Sequence, residues 1–129
     1  MPNKIGKSIL ASPGILVGSS SRLKEKVRQG QDLHLRCIAI GHPEPTYQWL
    51  KDDTPIASTS IPMGSGQSDK AVEVSTVSKR YALHDQGREL VVFATKPEDA
   101  GSYTCIAVNT VGRDRHTMQV SVICMCTYS

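Results

Sequence analysis

Apolar and polar side chains alternate along several short stretches of this 129-residue chain. The clearest stretch places four apolar side chains on one face of an extended segment: Leu33, Leu35, Cys37 and Ala39. The same spacing recurs near the end of the chain, at Met118, Val120 and Val122. Alternation with a period of two is typical of antiparallel strands with one face buried and one face in water. The pattern therefore predicts an all-β domain.

Two further strands are predicted between these stretches. Tyr47 and Trp49 are two residues apart and face inward on one strand, and Leu90 and Val92 do so on another. The segment Asp85-Gln86-Gly87, which precedes the second of these strands, is predicted to form a hairpin turn.

The remaining segments are predicted from their turn-forming residues. Two prolines make residues 41–45 a loop, because each removes a backbone donor. The Ser-, Thr- and Gly-rich segment 57–70 is predicted to be a mobile loop. A strand through Val72, Val74 and Thr76 follows it.

The stretch Asp99-Ala100-Gly101-Ser102-Tyr103-Thr104-Cys105 reads Asp-x-Gly-x-Tyr-x-Cys. Asp99 can cap a tight turn, and Gly101 permits a backbone angle that a side chain would resist. Tyr103 and Cys105 are two residues apart, so on a strand they point to the same face.

Cys37, Trp49 and this stretch together resemble the signature of the immunoglobulin superfamily, in which a buried tryptophan packs on an inter-sheet disulfide beside a tyrosine corner. The Gly-x-Pro-x-Pro loop and the Trp-x-Lys-Asp sequence after it are similar to the intermediate (I-set) domains of adhesion molecules and receptors. The resemblance covers residues 14–123. It implies a Greek-key β-sandwich with a disulfide between Cys37 and Cys105, one of the three full pairings that four cysteines allow.

One spacing departs from a compact I-set domain. Cys37 and Cys105 are 68 positions apart, a span typical of variable-type domains with two additional strands. The surplus lies between Trp49 and Leu90. We therefore expect an I-set-like sandwich with an extended region between strands C and D, and a variable-like hairpin there is the alternative.

The resemblance also implies structural roles for individual residues. Trp49, Tyr103 and Leu90 are expected in the core. Arg80 and Asp99 are expected to form an ion pair beneath the tyrosine corner.

The two ends of the chain are predicted to lie outside this domain. Residues 1–13 show no periodicity, which indicates a flexible lead, with a weak signal-like segment as the alternative. Residues 124–129 form a tail with Cys124 and Cys126, whose alternative role is an interchain disulfide. No metal site is predicted, because two thiolates are half of a tetrahedral set.

Several function classes find no support in the sequence. The net charge of +3 is too small to indicate nucleic-acid binding. No apolar run approaches the ~20 residues of a membrane span. The four histidines lie on different elements without the spacing of a metal set or a catalytic triad. We therefore predict a non-catalytic protein without a cofactor.

A basic stripe is the main candidate for a charged binding site. Its six members are Arg22, Lys24, Lys26, Arg28, Arg113 and Arg115. The first four alternate with Leu23 and Val27 on a predicted edge strand, and the last two lie on the strand expected beside it. Such a patch would suit a heparan-sulfate-like glycan. The alternative is an edge that lysine and arginine protect against aggregation.

The resemblance to adhesion and receptor domains implies a cell-surface or secreted module that binds a protein, homophilically or heterophilically. A growth factor or peptide hormone belongs to the same class of partner. The alternative is an intracellular, cytoplasmic I-set scaffold module of a muscle or cytoskeletal protein. An oxidised Cys37–Cys105 pair would favour the extracellular assignment.

Overall fold

The computed structural model describes residues 10–16, 24–60 and 73–124. These residues form strands and two single 3-10 turns, Asp85–Gly87 and Pro97–Asp99. The strands are β1 (Ala11–Ile15), β2 (Lys24–Arg28), β3 (Leu33–Arg36), β4 (Ala39–His42), β5 (Thr46–Lys51), β6 (Thr54–Ser60), β7 (Glu73–Thr76), β8 (Tyr81–His84), β9 (Glu89–Val92), β10 (Gly101–Val108) and β11 (Arg113–Ile123).

The strands form the two-layer sandwich that the resemblance implies. The larger sheet has six strands in the order β2-β11-β10-β5-β6-β7, and the smaller has the order β3-β9-β8. β1 pairs with β4, which follows β3 after two residues. All pairs are antiparallel except β2 with β11. The β6–β7 hairpin is the extended region between strands C and D, and it enlarges the sheet as in variable-type domains.

Apolar side chains fill the space between the layers, where alternation along each strand directs every second residue inward. The most deeply buried members are Leu35, Cys37, Tyr47, Trp49, Leu90, Val92, Tyr103, Cys105, Ala107 and Met118. The inward positions predicted on the strands of both layers are confirmed. The core therefore follows from the alternation in the sequence.

The predicted mobile loop over 57–70 is wrong for residues 57–60, which belong to β6. Ala57 and Thr59 are buried, and the Thr59 hydroxyl accepts a hydrogen bond from the Tyr47 backbone N–H at 3.0 Å. Small and hydroxyl side chains suit this position because the hydroxyl bonds to the neighbouring backbone. Residues 61–72 lie outside the described part of the chain.

The first strand begins at Ala11, three residues before the predicted start of the domain. Backbone pairing with β4 and a hydrogen bond from Asn109 Nδ2 to the Ala11 carbonyl at 2.8 Å hold this end of the strand. Neither contact requires alternating apolar residues, so the hydrophobic pattern does not reveal this part of the strand. Residues 1–9 lie outside the described residues.

Candidate binding surfaces

The disulfide predicted between Cys37 and Cys105 is present. Trp49 is opposite Cys105 in the pairing of β5 with β10, and its side chain is fully buried. The Trp49 indole Nε1–H donates to the Gly87 carbonyl at 2.9 Å, so its one polar atom is satisfied. These residues join the two layers and leave no surface for a ligand.

The predicted partners Arg80 and Asp99 lie in contact beneath the tyrosine corner. Arg80 Nη1 donates to Asp99 Oδ1 at 3.0 Å, and Nη2 donates to Oδ2. The Lys96 backbone N–H also donates to Asp99 Oδ2, at 2.7 Å. Burial opposes the ionised form of Asp99, but these hydrogen bonds outweigh it and hold the pKa of Asp99 below its ordinary value.

Tyr103 completes this corner. Its hydroxyl donates to the Asp99 carbonyl at 2.6 Å. Burial raises the pKa of Tyr103, so the hydroxyl remains a donor throughout the physiological range. The corner fixes the turn before β10 and is structural.

The five described members of the predicted basic stripe lie in two groups on the larger sheet. Lys24, the first described residue of β2, pairs in register with Gln119. Arg115 is four positions before Gln119 on β11, so it is displaced by about 13 Å along the strand. Arg113 is further away, and Arg22 lies outside the described residues. The described basic residues therefore form two separate groups.

The loop that follows β4 and the turn at residues 109–112 meet at one end of the sandwich. Asn109 Nδ2 donates to the Pro43 carbonyl at 2.9 Å as well as to Ala11. Asn109 Oδ1 accepts from the backbone N–H groups of Val111 and Gly112. The Asn109 amide therefore holds the loops and β1 together.

A surface that the sequence did not indicate lies on the larger sheet. We call it the outer patch, and it consists of nine side chains that point away from the disulfide: Thr46, Gln48, Leu50, Thr104, Ile106, Val108, Arg113, Arg115 and Thr117. The strand register places them in three rows across β5, β10 and β11. Leu50, Ile106 and Val108 are half-buried, and none of the nine is acidic.

One pair of hydroxyls in the outer patch is bonded internally. The hydroxyls of Thr104 and Thr117 are 3.0 Å apart, and Thr104 is only 3% exposed. Beside them, Gln119 Nε2 donates to the Ser102 hydroxyl at 2.8 Å. A partner that covers Thr104 and Thr117 would therefore leave their hydroxyls satisfied.

The acidic neighbour of the two arginines in the patch points elsewhere. Asp114 Oδ2 accepts a hydrogen bond from the Ile15 backbone N–H at 2.9 Å. Asp114 thus helps to attach β1 to β11. Arg113 and Arg115 remain exposed and give this end of the outer patch a positive charge.

The remaining candidate residues are not brought together. His34, His42 and His84 are exposed and His116 is buried. No group of three His, Cys, Asp or Glu side chains in the described ranges is placed to hold a metal. Cys124 is exposed just after β11, and Cys126 is outside the described ranges, so interchain bonding stays a prediction. In residues 10–16, 24–60 and 73–124, no helix has the length and apolarity needed to cross a membrane.

Comparison with known proteins identifies a matching family and several relatives. A family model described as an immunoglobulin domain matches residues 13–109. The chain is 34% identical over 122 residues to fibroblast growth factor receptor-like 1 of Gallus gallus, covering 95% of this chain and 18% of that protein. It is 34% identical over 102 residues to the cell adhesion molecule DSCAM of Rattus norvegicus, covering 79% of this chain and 4% of that protein.

Among solved structures, titin domain M7 matches with a TM-score of 0.66 and 24% identity, covering 90% of this chain and 98% of that chain. At this identity the likeness shows the fold alone. The chain spans less than a fifth of the length of each of these two curated relatives. The family model covers most of the chain, and the disulfide, buried tryptophan and tyrosine corner agree with it. The chain therefore belongs to the immunoglobulin superfamily.

Proposed function

We propose that this chain is a non-catalytic, protein-binding module of a cell-surface or secreted protein of the adhesion or receptor type, and that it binds its partner through the outer patch. The observation that carries the proposal is the apolar centre of that patch, formed by Leu50, Ile106 and Val108 on adjacent strands. A sheet face in water usually carries polar side chains, so an apolar centre there favours a protein partner.

The surroundings of the apolar centre support the same proposal. The hydroxyl pair of Thr104 and Thr117 can be dehydrated without losing its hydrogen bond. Arg113 and Arg115 add charge at one side of the patch, where no described acidic side chain of the patch opposes them. The partner is therefore expected to present an aliphatic centre with carboxylates along one side.

The disulfide and the relatives support an extracellular location. Disulfides persist in oxidising compartments, and the relatives include proteins named as a cell adhesion molecule and a growth factor receptor-like protein. Peptide mapping of thiols on protein from its native source tests this part. A closed Cys37–Cys105 bridge is expected. Two free thiols at these positions would favour the cytoplasmic scaffold alternative instead.

Binding can be tested with the folded chain, tetramerised for avidity, against an array of purified extracellular domains. For any domain that binds, Ile106→Glu and Arg115→Glu are expected to weaken the affinity at least tenfold. Arg28→Glu is the matched control, because Arg28 is an exposed arginine at the far end of the neighbouring strand.

Either of two results would overturn the use of the outer patch. One is full binding by the Ile106→Glu and Arg115→Glu variants. The other is loss of binding in Arg28→Glu and Lys24→Glu together with equal loss of heparin retention, which would assign recognition to the basic edge and a sulfated glycan.

A further inference from the structure

The outer edge of β7 carries backbone groups that no described strand pairs with. The larger sheet ends at β7, whose inner neighbour is β6. The Val77 N–H donates to the Ile56 carbonyl at 2.9 Å, so the backbone groups of Val77 point toward β6. In an antiparallel pair this direction alternates along the strand. The N–H and C=O groups of Val74 and Thr76 therefore point toward the outer edge.

Apart from Glu73 at its start, β7 has none of the charged residues or prolines that protect sheet edges from pairing. At the opposite end of the same sheet, β2 carries Lys24, Lys26 and Arg28. Along residues 74–78, by contrast, every side chain is uncharged and none is a proline. Val74 is 51% exposed and the following Val77 is 68% exposed. Neutral, β-branched residues at an exposed edge favour the addition of another strand.

We propose that two copies of this chain associate through β7, as antiparallel strands related by a two-fold axis that passes through Ser75. This axis places Val74 of one copy opposite Thr76 of the other, and the reverse. Both residues carry outward-pointing backbone groups, so each of the two pairs exchanges two N–H···O=C hydrogen bonds. The two sheets become one sheet across the dimer.

The sequence of β7 suits a second copy of itself. Reading outward from Ser75, the neighbours are Val74 and Thr76, both β-branched and uncharged. The register also sets Glu73 of one copy opposite Val77 of the other, so the two glutamates are not paired with each other. The same symmetric pairing of β2 would bring Lys24, Lys26 and Arg28 together and would be repulsive.

The contact is small, since β7 has four residues. Interfaces well below about 1,000 Å² are weak or transient. We therefore expect a reversible dimer that forms at high concentration or when copies are held near one another.

Trapping with an engineered cysteine tests the register directly. With the axis at Ser75, the two Ser75 residues form a non-hydrogen-bonded pair with Cα atoms about 4.5 Å apart. That separation is within the range of about 4.4–6.8 Å found in disulfides. Ser75→Cys is therefore expected to give a covalent dimer in a glutathione redox buffer, where two thiols are oxidised and one oxidised glutathione is reduced to two reduced molecules.

The matched control is Ser58→Cys. Ser58 is opposite Ser75 in register, on the same face but one strand inside the edge. At equal protein concentration, the covalent dimer should form at least tenfold faster from Ser75→Cys than from Ser58→Cys, as read on a non-reducing gel. Equal rates would overturn the proposal, since they would indicate random collision of thiols.

Sedimentation of the unmodified chain supplies a second test. The fraction of dimer is expected to increase as the protein concentration is raised to about 1 mM. Thr76→Pro should abolish the dimer, because proline removes an N–H that points to the outer edge and not to β6. Val74→Lys, which keeps the backbone intact, should have the same effect. A chain that stays monomeric at 1 mM, or a dimer that both variants leave unchanged, would overturn the proposal.

Discussion

Asp114 accepts a hydrogen bond from the backbone N–H of Ile15 at 2.9 Å, across 99 positions of sequence. This bond links β1 to β11, whereas the strand pairing of β1 is with β4 and Asn109 holds the Ala11 carbonyl. One carboxylate thus attaches the first strand to the larger sheet. It also leaves Arg113 and Arg115 without this carboxylate as a partner on the outer patch.

Asp114→Ala is expected to loosen β1 by about 1–2 kcal/mol, because it removes an acceptor from a partly buried N–H. The readout is exchange of the Leu16 amide hydrogen, which should become about tenfold faster. Asp114→Asn is the control, since its amide oxygen can still accept the bond. Unchanged exchange at Leu16 in the alanine variant would show that the Asp114 hydrogen bond does not hold β1.

Gly87→Ala is expected to destabilise the chain by about 3 kcal/mol, from a left-handed backbone and a steric clash together. Gly87 has φ +94°, and an added Cβ would lie 2.7 Å from Thr59 Cγ2. Gly30 provides the control because its φ is +92° with open space around an added Cβ.

Gly30→Ala should therefore cost only the backbone strain, about 1–2 kcal/mol. Denaturant unfolding measures both free energies. Equal losses in the two variants would show that the space near Thr59 has no effect.

Asp99→Asn is expected to lower the free energy of unfolding by about 2 kcal/mol or more at pH 7, because it leaves Arg80 without its charged partner. It should also make the free energy of unfolding depend less on pH in the acid range. The pKa of Asp99 is lower in the folded chain than the ordinary 3.8, so the folded state binds fewer protons. The contribution of the ion pair is complete above about pH 4 and is lost as pH falls through the folded pKa.

Tyr103→Phe is the control for the pH dependence of stability in acid. It removes the hydrogen bond to the Asp99 carbonyl, at a cost of about 1 kcal/mol, but leaves the carboxylate in place. Its stability should fall with acid as steeply as that of the parent chain. If Asp99→Asn shows the same slope below pH 4, other carboxylates govern acid unfolding.

Thr59→Val is expected to cost about 1–2 kcal/mol, since valine keeps the shape but loses the hydroxyl that bonds to the Tyr47 backbone. Thr54→Val on the same strand should be nearly neutral, because Thr54 is exposed. Thermal unfolding compares the two. A neutral Thr59→Val would mean that water or a shifted backbone satisfies the Tyr47 N–H.

The sandwich and its central residues can be predicted from the sequence because they rest on local rules. Alternation sets the inward face of each strand, and Trp49, Tyr103 and Cys105 are recognisable by type and spacing. The 68-position span between the cysteines likewise indicates the additional hairpin, because a compact sandwich needs fewer residues there.

The candidate surface could not be predicted in the same way, because it depends on register between strands that are distant in sequence. The sequence suggests that Arg115 and Lys24 lie on neighbouring strands and close together. In the structure, however, Lys24 of β2 pairs with Gln119 of β11. Leu50 and Ile106 each lie next to a core residue in the sequence, and only the pairing of β5 with β10 brings the two to one surface.

Residues 57–60 show a different limit. A hydrophobicity pattern cannot distinguish a serine- and threonine-rich loop from a strand whose hydroxyls bond to its neighbour. The bond between Thr59 and Tyr47 decides between the two, and it is visible only in three dimensions.

The alternation along β10 has a consequence for evolution. Tyr103, Cys105 and Ala107 face the core, whereas Thr104, Ile106 and Val108 face outward from the same backbone. Substitutions at the outward positions can therefore change the partner while the inward ones continue to specify the fold. A lineage could diverge in recognition at little cost in stability, and a combinatorial library confined to Leu50, Ile106 and Val108 should yield mostly folded proteins of new specificity.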